Sequence, residues 1–328
     1  MDEQIKKINN QAQKYAKDLE KLQTEIKKTI VGQDDIIDRL IIALIAQGHV
    51  LLEGLPGLAK TLMIRTLSKC IDCSFTRLQF TPDLLPADIT GTKIYNHKNG
   101  SFSTIKGPIF ANFILADEIN RAPPKVQSAL LEAMQEKQVS IQGETHMLKK
   151  PFLVMATQNP IESEGTYKLP EAQVDRFAFK VIINHPEKSE EIEIINRFTE
   201  GITYKTSQIL TSKKIIEIQN FNQKIYVDKK IKEYVSELVD ATRYPKKYSI
   251  DVEGHIEYGA SPRASLWLIL AGKANAMING RGYVIPEDIK AVAYDVLRHR
   301  ILLTYEAEAE EVSSEEIITK ILDSIKIP

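Results

Sequence analysis

Residues 54–61 read Gly54-Leu55-Pro56-Gly57-Leu58-Ala59-Lys60-Thr61, between the apolar run His49-Val50-Leu51-Leu52 and a helix-like stretch from Leu62 to Ser68. A strand that ends in glycines and opens into a helix points backbone N–H groups and the positive helix end at one spot, where a polyphosphate can sit. In such a loop Lys60 reaches the β- and γ-phosphates and the Thr61 hydroxyl takes a place on Mg²⁺. The general pattern has Gly immediately before the Lys, and here Ala59 stands there. Because the helix begins at that point, Ala59 is expected to adopt ordinary helical φ, with the turn at φ > 0 left to Gly57. The competing reading is a plain turn followed by a chance Lys-Thr.

A second chemical signal lies downstream. The run from Ala111 to Ala116 is apolar and ends in Asp117 and Glu118, as expected for a buried strand that delivers carboxylates at its C-terminal edge. Two acids there suit Mg²⁺-dependent ATP hydrolysis, Asp117 holding the metal directly or through its water and Glu118 polarising the attacking water. The alternative, a cap for the helix near Pro123-Pro124, places both acids too far ahead, and Asn120 is the better cap. A third strand, Phe152 to Ala156, runs into Thr157-Gln158-Asn159-Pro160. Asn159 is placed to orient the lytic water or sense the γ-phosphate; standing alone, Asn-Pro is an ordinary strand-end turn.

With these three in order the chain resembles the AAA+ ATPases, and more narrowly their MoxR family. The resemblance spans nearly the whole chain, resting on residues 54–61, Leu115 to Arg121, Ala156 to Pro160, Leu169-Pro170-Glu171-Ala172-Gln173-Val174-Asp175-Arg176-Phe177, and Ser261-Pro262-Arg263-Ala264. An Ala before the Lys is usual in MoxR-like proteins. The resemblance implies that Asp117 and Glu118 are the Walker B pair and Asn159 the sensor 1 residue. By the same likeness Arg176 is an arginine finger offered to the neighbouring subunit, and Arg263 the sensor 2 residue of a C-terminal lid. It also places Ile30-Val31-Gly32-Gln33 beside the adenine, so Val31, Gly32, Gln33, residues 54–62 including Leu62, and Arg263 form the expected nucleotide contacts. Arg suits such roles because its planar fork matches phosphate oxygens and stays charged. Asp175-Arg176 also reads as an ordinary surface pair. Arg263 sits where a helix N-terminus disfavours a cation, which a phosphate partner would explain.

The elements that must position these residues are legible in the pattern. Strands near Val50–Leu52, Phe75–Gln79, Phe113–Ala116, Leu153–Ala156 and Ala178–Ile182 alternate with helices, which implies an α/β fold: a parallel sheet with helices on both faces. Ligands then bind beyond the carboxyl ends of the strands, where all three motifs fall. Ahead of it, Ile5, Ile8, Ala12, Tyr15, Leu19, Leu22 and Ile26 make one apolar stripe from Gln4 to Lys28, and Asp34 or Asp35 is expected to cap the next helix, through Gln47. Thr92 to Phe102 reads as an inserted hairpin, with Asn99-Gly100-Ser101 as its tip rather than a glycosylation site. A second hairpin runs from Val139 through Gln142-Gly143-Glu144 to Leu148. By resemblance these are the helix-2 insert and the pre-sensor-1 hairpin. From about Thr211 every segment reads as helix: Ser212–Lys224, Asp228–Arg243, Ser261–Ile278, Pro286–Leu302 and Ser313–Ile325, the last opened by a Ser313/Glu316 capping box. The expected layout is an N-terminal amphipathic helix (1–30), an AAA+ αβα core (31–186), a connector (187–210) and an all-α lid (211–328).

Composition agrees. A chain of 328 residues with 43% apolar content supplies two cores. Its net charge of −1, with acids and bases interspersed, gives no global field toward nucleic acid or anionic membrane. The longest apolar stretch, Leu40 to Ala46, is too short to cross a bilayer, and Met1-Asp2-Glu3 has no basic n-region, so a cytoplasmic protein is expected. Cys70 and Cys73 form a lone C-x-x-C without further zinc ligands and read as reduced structural residues. Taken together, the expectation is a Mg²⁺-dependent ATPase that forms homo-oligomeric rings, hexamers by resemblance, and remodels a protein client, often with a von Willebrand factor A-domain partner in enzyme maturation or metal-cofactor insertion. The alternatives are a nucleic-acid motor related to the MCM helicases, against which the near-neutral charge stands, and an ATP-gated scaffold with slow turnover. No guanine-reading Asn/Thr-Lys-x-Asp motif is present.

Overall fold

The computed structural model describes residues 3–55, 57–97, 100–159, 165–201 and 204–328. They fall into two compact units, one of Lys21–Phe177 with Val181–Ile216, the other of Met1–Glu20, Ala178–Lys180 and Glu217–Pro328.

The first unit is built on a five-stranded sheet. Its strands are β1 (Val50–Glu53), β2 (Phe75–Gln79), β5 (Phe113–Asp117), β8 (Leu153–Gln158) and β9 (Phe179–Ile182), in the order β2-β5-β8-β1-β9. β1 pairs with β8, β8 with β5 and β5 with β2, all parallel. α2 (Asp34–Ala46) precedes them, α3 (Lys60–Cys70), α4 (Pro86–Thr90), α5 (Pro124–Glu136) and α6 (Glu171–Val174) run between them, and α7 (Lys188–Thr199) follows. The central strands are apolar up to their polar C-terminal ends because both faces are covered. Ile114, Ala116, Val154 and Ala156 are wholly buried and cluster with Val126 and Leu130 of α5; each large aliphatic side chain so buried contributes about 1.5–3 kcal/mol. The sheet thus brings the C-terminal ends of β1, β5 and β8 side by side.

Two hairpins interrupt this alternation. β3 (Gly91–Asn96) pairs with β4 (Ser101–Lys106), four residues beyond the expected Phe102, and β6 (Gln138–Ile141) pairs with β7 (Glu144–Met147). Gln142 and Gly143, at φ 48° and 84°, make the second turn, a left-handed pair that matches the strand twist. Asn99 of the first tip lies outside the described residues.

Two expected caps are corrected. α2 starts at Asp34 with Gln33 before it at φ 59°, and no side chain caps it. Asp34 and Asp35 occupy the first turn instead, where their charge still faces the positive helix end. The helix after the carboxylates is preceded by Pro123, while Asn120 sits in a 3₁₀ turn, Ile119–Arg121. Pro123 supplies the extended entry, and Pro124 at the first helical position removes one of the N–H groups a cap would serve. The segment expected as a connector contains α7.

The second unit holds α8 (Ser212–Asn222), α9 (Lys229–Arg243), α10 (Pro262–Ile278), α11 (Pro286–Leu297), α12 (Tyr305–Ala309) and α13 (Ser314–Ser324), of which α8 begins in the first unit. Asp228, Ser261 and Ser313 cap α9, α10 and α13 through side-chain oxygens. α11 stops short of the expected Leu302 because Leu302–Leu303 forms β11, an antiparallel partner of β10 (Ile256–Tyr258). The region is therefore helical with one short ribbon added. The N-terminal helix α1 (Glu3–Thr29) buries Ala12, Tyr15 and Leu19. Tyr15 Oη donates to Glu217 Oε1 at 2.5 Å, and Asn9 Oδ1 accepts from Gly282 N–H at 3.0 Å. A Cβ at Gly282 would lie 2.6 Å from Asn9 N, so glycine is what lets this helix approach.

Candidate active site

A cavity of about 530 Å³ opens at the C-terminal ends of β1, β5 and β8. It is lined by Gly54, Gly57, Leu58, Ala59, Lys60, Thr61 and Leu62 from the loop, by Asp117 and Glu118, by Asn159, and by Val31. Motifs more than a hundred residues apart in the chain are thereby joined at one place. Leu55, Gly32 and Gln33 do not line it, and Pro56 lies outside the described residues.

Gly54 follows β1 and cannot be larger, since a Cβ there would stand 2.9 Å from the Ile183 carbonyl oxygen. Gly57 turns the loop at φ 88° with nothing near its missing Cβ, so its requirement is conformational. Ala59 departs from expectation: its φ is 54°, left-handed rather than helical, and α3 starts one residue later. Ala59 is thus the loop's second left-handed residue after Gly57, and it bears that strain without glycine's freedom. Lys60 Nζ donates to the Gly54 carbonyl, folding the cation over the loop. Burial lowers the Lys60 pKa, and the Asp117, Glu118 and Glu53 carboxylates pull it back up.

Around the acids the structure adds side chains that the motifs did not single out. Thr157, buried on β8, donates to Asp117 Oδ1 at 2.7 Å and accepts from the Glu118 N–H at 2.9 Å. Arg77 on β2 donates to Asp117 Oδ2 from Nε at 3.0 Å and Nη2 at 2.6 Å. Gln79 Nε2 donates to Glu118 Oε2 at 2.7 Å, and Arg121 Nε lies 3.1 Å from the same oxygen. Glu118 is itself left-handed, at φ 57°. Such strain in a non-glycine residue persists only where the surroundings over-determine it. The signal for Arg77 and Gln79 was the polar Arg-x-Gln alternation at the end of β2, whose register sets Gln79 beside Asp117.

The far wall of the cavity comes from Thr29, Ile30 and Val31 and, unexpectedly, from Ile194 and Arg197 of α7. Arg197 Nη1 donates to the Lys28 carbonyl at 2.8 Å, and its guanidinium stacks on Tyr204 at 4.7 Å. Gly32, at φ 65°, abuts the Glu190 carboxylate, and Gln33 Nε2 donates to the Asn184 carbonyl at 3.0 Å. Gln33 thereby ties the segment after Val31 to the residues that lead into α7.

Arg176 follows α6 and does not line this cavity; its Nε is buried without a hydrogen-bond partner. Arg263 belongs to the other unit, in the first turn of α10, where its N–H donates to Ser261 Oγ at 3.2 Å. Burial pushes both cysteine thiols up to about 12, which leaves them protonated and unreactive.

Among the described residues no three His, Cys, Asp or Glu side chains converge as a metal centre. The hydroxyl of Thr61 and the carboxylate of Asp117 are hard oxygen donors lining one cavity. That set suits a Mg²⁺ ion which arrives with phosphate oxygens and keeps its water, rather than one held by a protein cage. Among the described residues no helix is long and apolar enough to cross a membrane.

Comparison with known proteins agrees with this geometry. A family model described as the ATPase family associated with various cellular activities (AAA) matches residues 49–179, and one described as the AAA lid domain matches residues 249–321. The chain is 50% identical over 312 residues to Chaperone MoxR1 of Mycobacterium tuberculosis, covering 94% of this chain and 82% of that one. It is 30% identical to Protein MoxR of Methylorubrum extorquens, covering 94% of each. The crystal structure of a Cytophaga hutchinsonii protein superimposes with a TM-score of 0.91 at 50% identity over 97% of both chains. With a nucleotide-sized cavity, a phosphate-type loop and matches that run through the lid, the chain belongs to the MoxR family of AAA+ ATPases, chaperone-like proteins that hydrolyse ATP.

Proposed function

We propose that this ATPase works as a Mg²⁺-dependent, ring-forming remodeller of a protein client, with the residues of the cavity in the following roles. The N–H groups of the loop and Lys60 bind the β- and γ-phosphates. Thr61 and Asp117 hold Mg²⁺, which when bound neutralises charge on the β- and γ-phosphate oxygens. Glu118 polarises the attacking water and Asn159 orients it. Val31 and the wall around it face the adenine. Arg176 serves the neighbouring subunit's site, a reading supported by its absence from its own chain's cavity. Arg263, in the lid, 211–328, takes the sensor 2 role that the family likeness implies, the core being 31–186.

The observation that carries the reading is the gathering of Lys60, Thr61, Asp117, Glu118 and Asn159 around one cavity. The family likeness supports a hexameric ring and a von Willebrand factor A-domain partner in enzyme maturation or metal-cofactor insertion, and the sequence reading supports a cytoplasmic setting. The name of the relative Chaperone MoxR1 supports a protein client. The near-neutral charge favours this over a nucleic-acid motor.

The roles separate experimentally. Glu118→Gln should retain ATP with turnover abolished, whereas Lys60→Ala should lose binding, both read with a fluorescent nucleotide and a phosphate-release assay. Equal ATP affinity in the two variants would overturn the assignment. Tight, steeply salt-dependent binding of single-stranded or duplex DNA would replace the remodeller with the motor.

A further inference from the structure

Asp117 is more fully engaged than a waiting metal ligand needs to be. A carboxylate oxygen has two in-plane lone pairs. Oδ2 accepts from two nitrogens of Arg77, at 3.0 and 2.6 Å, and Oδ1 accepts from Thr157 at 2.7 Å. One acceptor direction, on Oδ1, is therefore left. Thr157 is 2% exposed and also holds the Glu118 N–H, so it is locked from both sides. The Arg77 side chain is 52% exposed and lines the cavity, which gives it room to leave. Its Nη2 also donates to Gln79 Oε1 at 2.9 Å, and the spacing of residues 77 and 79 puts both on the same face of β2.

We propose that Arg77 is an internal counter-cation of the metal carboxylate, holding Asp117 Oδ2 so that a divalent cation engaging that oxygen must displace the guanidinium. Arg77 is then a positioning residue that sets how strongly the site favours metal-bound over metal-free nucleotide. The exchange is one cation for another on the same oxygen, so the carboxylate never stands unneutralised in a half-buried position. The proposal rests on the reading of Asp117 as the metal carboxylate.

The test measures binding of a fluorescent, non-hydrolysable ATP analogue to the full-length protein with Mg²⁺ and with excess chelator, and takes the ratio of the two affinities. By linkage this ratio is the factor by which metal and nucleotide help each other. A charge-assisted contact discounted for the exposure of Arg77 corresponds to about a tenfold effect. Arg77→Gln should raise the ratio by that factor, and Arg77→Lys, which keeps the charge without the two-nitrogen grip, should fall between. In an Asp117→Asn background the ratio should drop, and adding Arg77→Gln should change it no further. If Asp117→Asn lowers the ratio while Arg77→Gln leaves it unchanged or lowers it, the counter-cation role is wrong and Arg77 serves phosphate or structure. If Asp117→Asn leaves the ratio at the wild-type value, the metal assignment itself fails and takes the proposal with it.

Discussion

At the scale of single residues, the loop shows how a pattern can be right in outline and wrong in one torsion. Gly57 is left-handed as its type suggests, but Ala59 is left-handed too, against the expectation of ordinary helical φ. An L-residue with a Cβ in that region costs about 1–2 kcal/mol. Ala59→Gly should therefore raise thermal stability slightly and leave ATP binding intact, whereas Gly57→Ala should lose about 1–2 kcal/mol and weaken ATP binding, since only that change introduces strain. Thermal unfolding and nucleotide titration of both variants check this; the opposite order would mean that the strained position has been misjudged. The sequence showed which residues form the loop because glycine and lysine have few alternatives there. It did not show the φ of Ala59, which the closure of the whole loop imposes.

At the scale of elements, His49 joins strand to helix. It precedes β1, is fully buried, accepts the Val154 N–H of β8 at Nδ1 (3.0 Å), and lies 3.2 Å from the Met134 carbonyl of α5 through Nε2. Both contacts are made only by the neutral ring protonated at Nε2. Burial pushes its pKa down to about 4 from the ordinary 6.5. The folded state thus binds fewer protons than the unfolded state between those values, and stability is complete above pH 6.5 and lost as the pH falls toward 4. Between pH 7 and 5 the loss from this residue alone is about 2 kcal/mol. His49→Gln, which keeps a donor toward Met134 but cannot titrate, should start less stable yet show a shallower decline over that interval. Denaturant unfolding followed at pH 7, 6 and 5 checks this, and parallel slopes for variant and wild type would remove His49 from the acid response. Alternation of strands and helices was legible because local periodicity reports it. The β10–β11 ribbon was not, because two or three residues carry no period and pair only through a partner more than forty positions away.

At the scale of the whole molecule, the proposed ring and the reading of Arg176 as an arginine finger call for active sites shared between subunits. A trans arginine is worth roughly 10³–10⁵ in rate in phosphoryl-transfer systems. Arg176→Ala should be nearly inactive while still binding ATP, and Glu118→Gln should be inactive as well. Mixed assemblies contain interfaces where an intact Glu118 from the first variant meets an intact Arg176 from the second. Part of the ATPase activity should then return on mixing, with fluorescence transfer reporting that the variants co-assemble. Co-assembly without recovery would mean that Arg176 acts within its own subunit or that turnover needs every site of the ring. Doping wild-type subunits into the assembly separates those two cases.

What the sequence by itself determined is what short-range chemistry specifies: the glycine-rich loop, the pair of acids at a strand end, the α/β alternation, and the helical C-terminal region with its serine and aspartate caps. What only the tertiary structure decided is the company those acids keep. Arg77, Gln79 and Thr157 meet Asp117 and Glu118 across about forty residues of chain, and α7 lends Ile194 and Arg197 to the cavity from a segment that read as connector. The physical reason is register. A strand's own sequence sets which of its side chains share a face, but which strand lies beside it, and at what offset, is settled by packing both faces of the sheet at once.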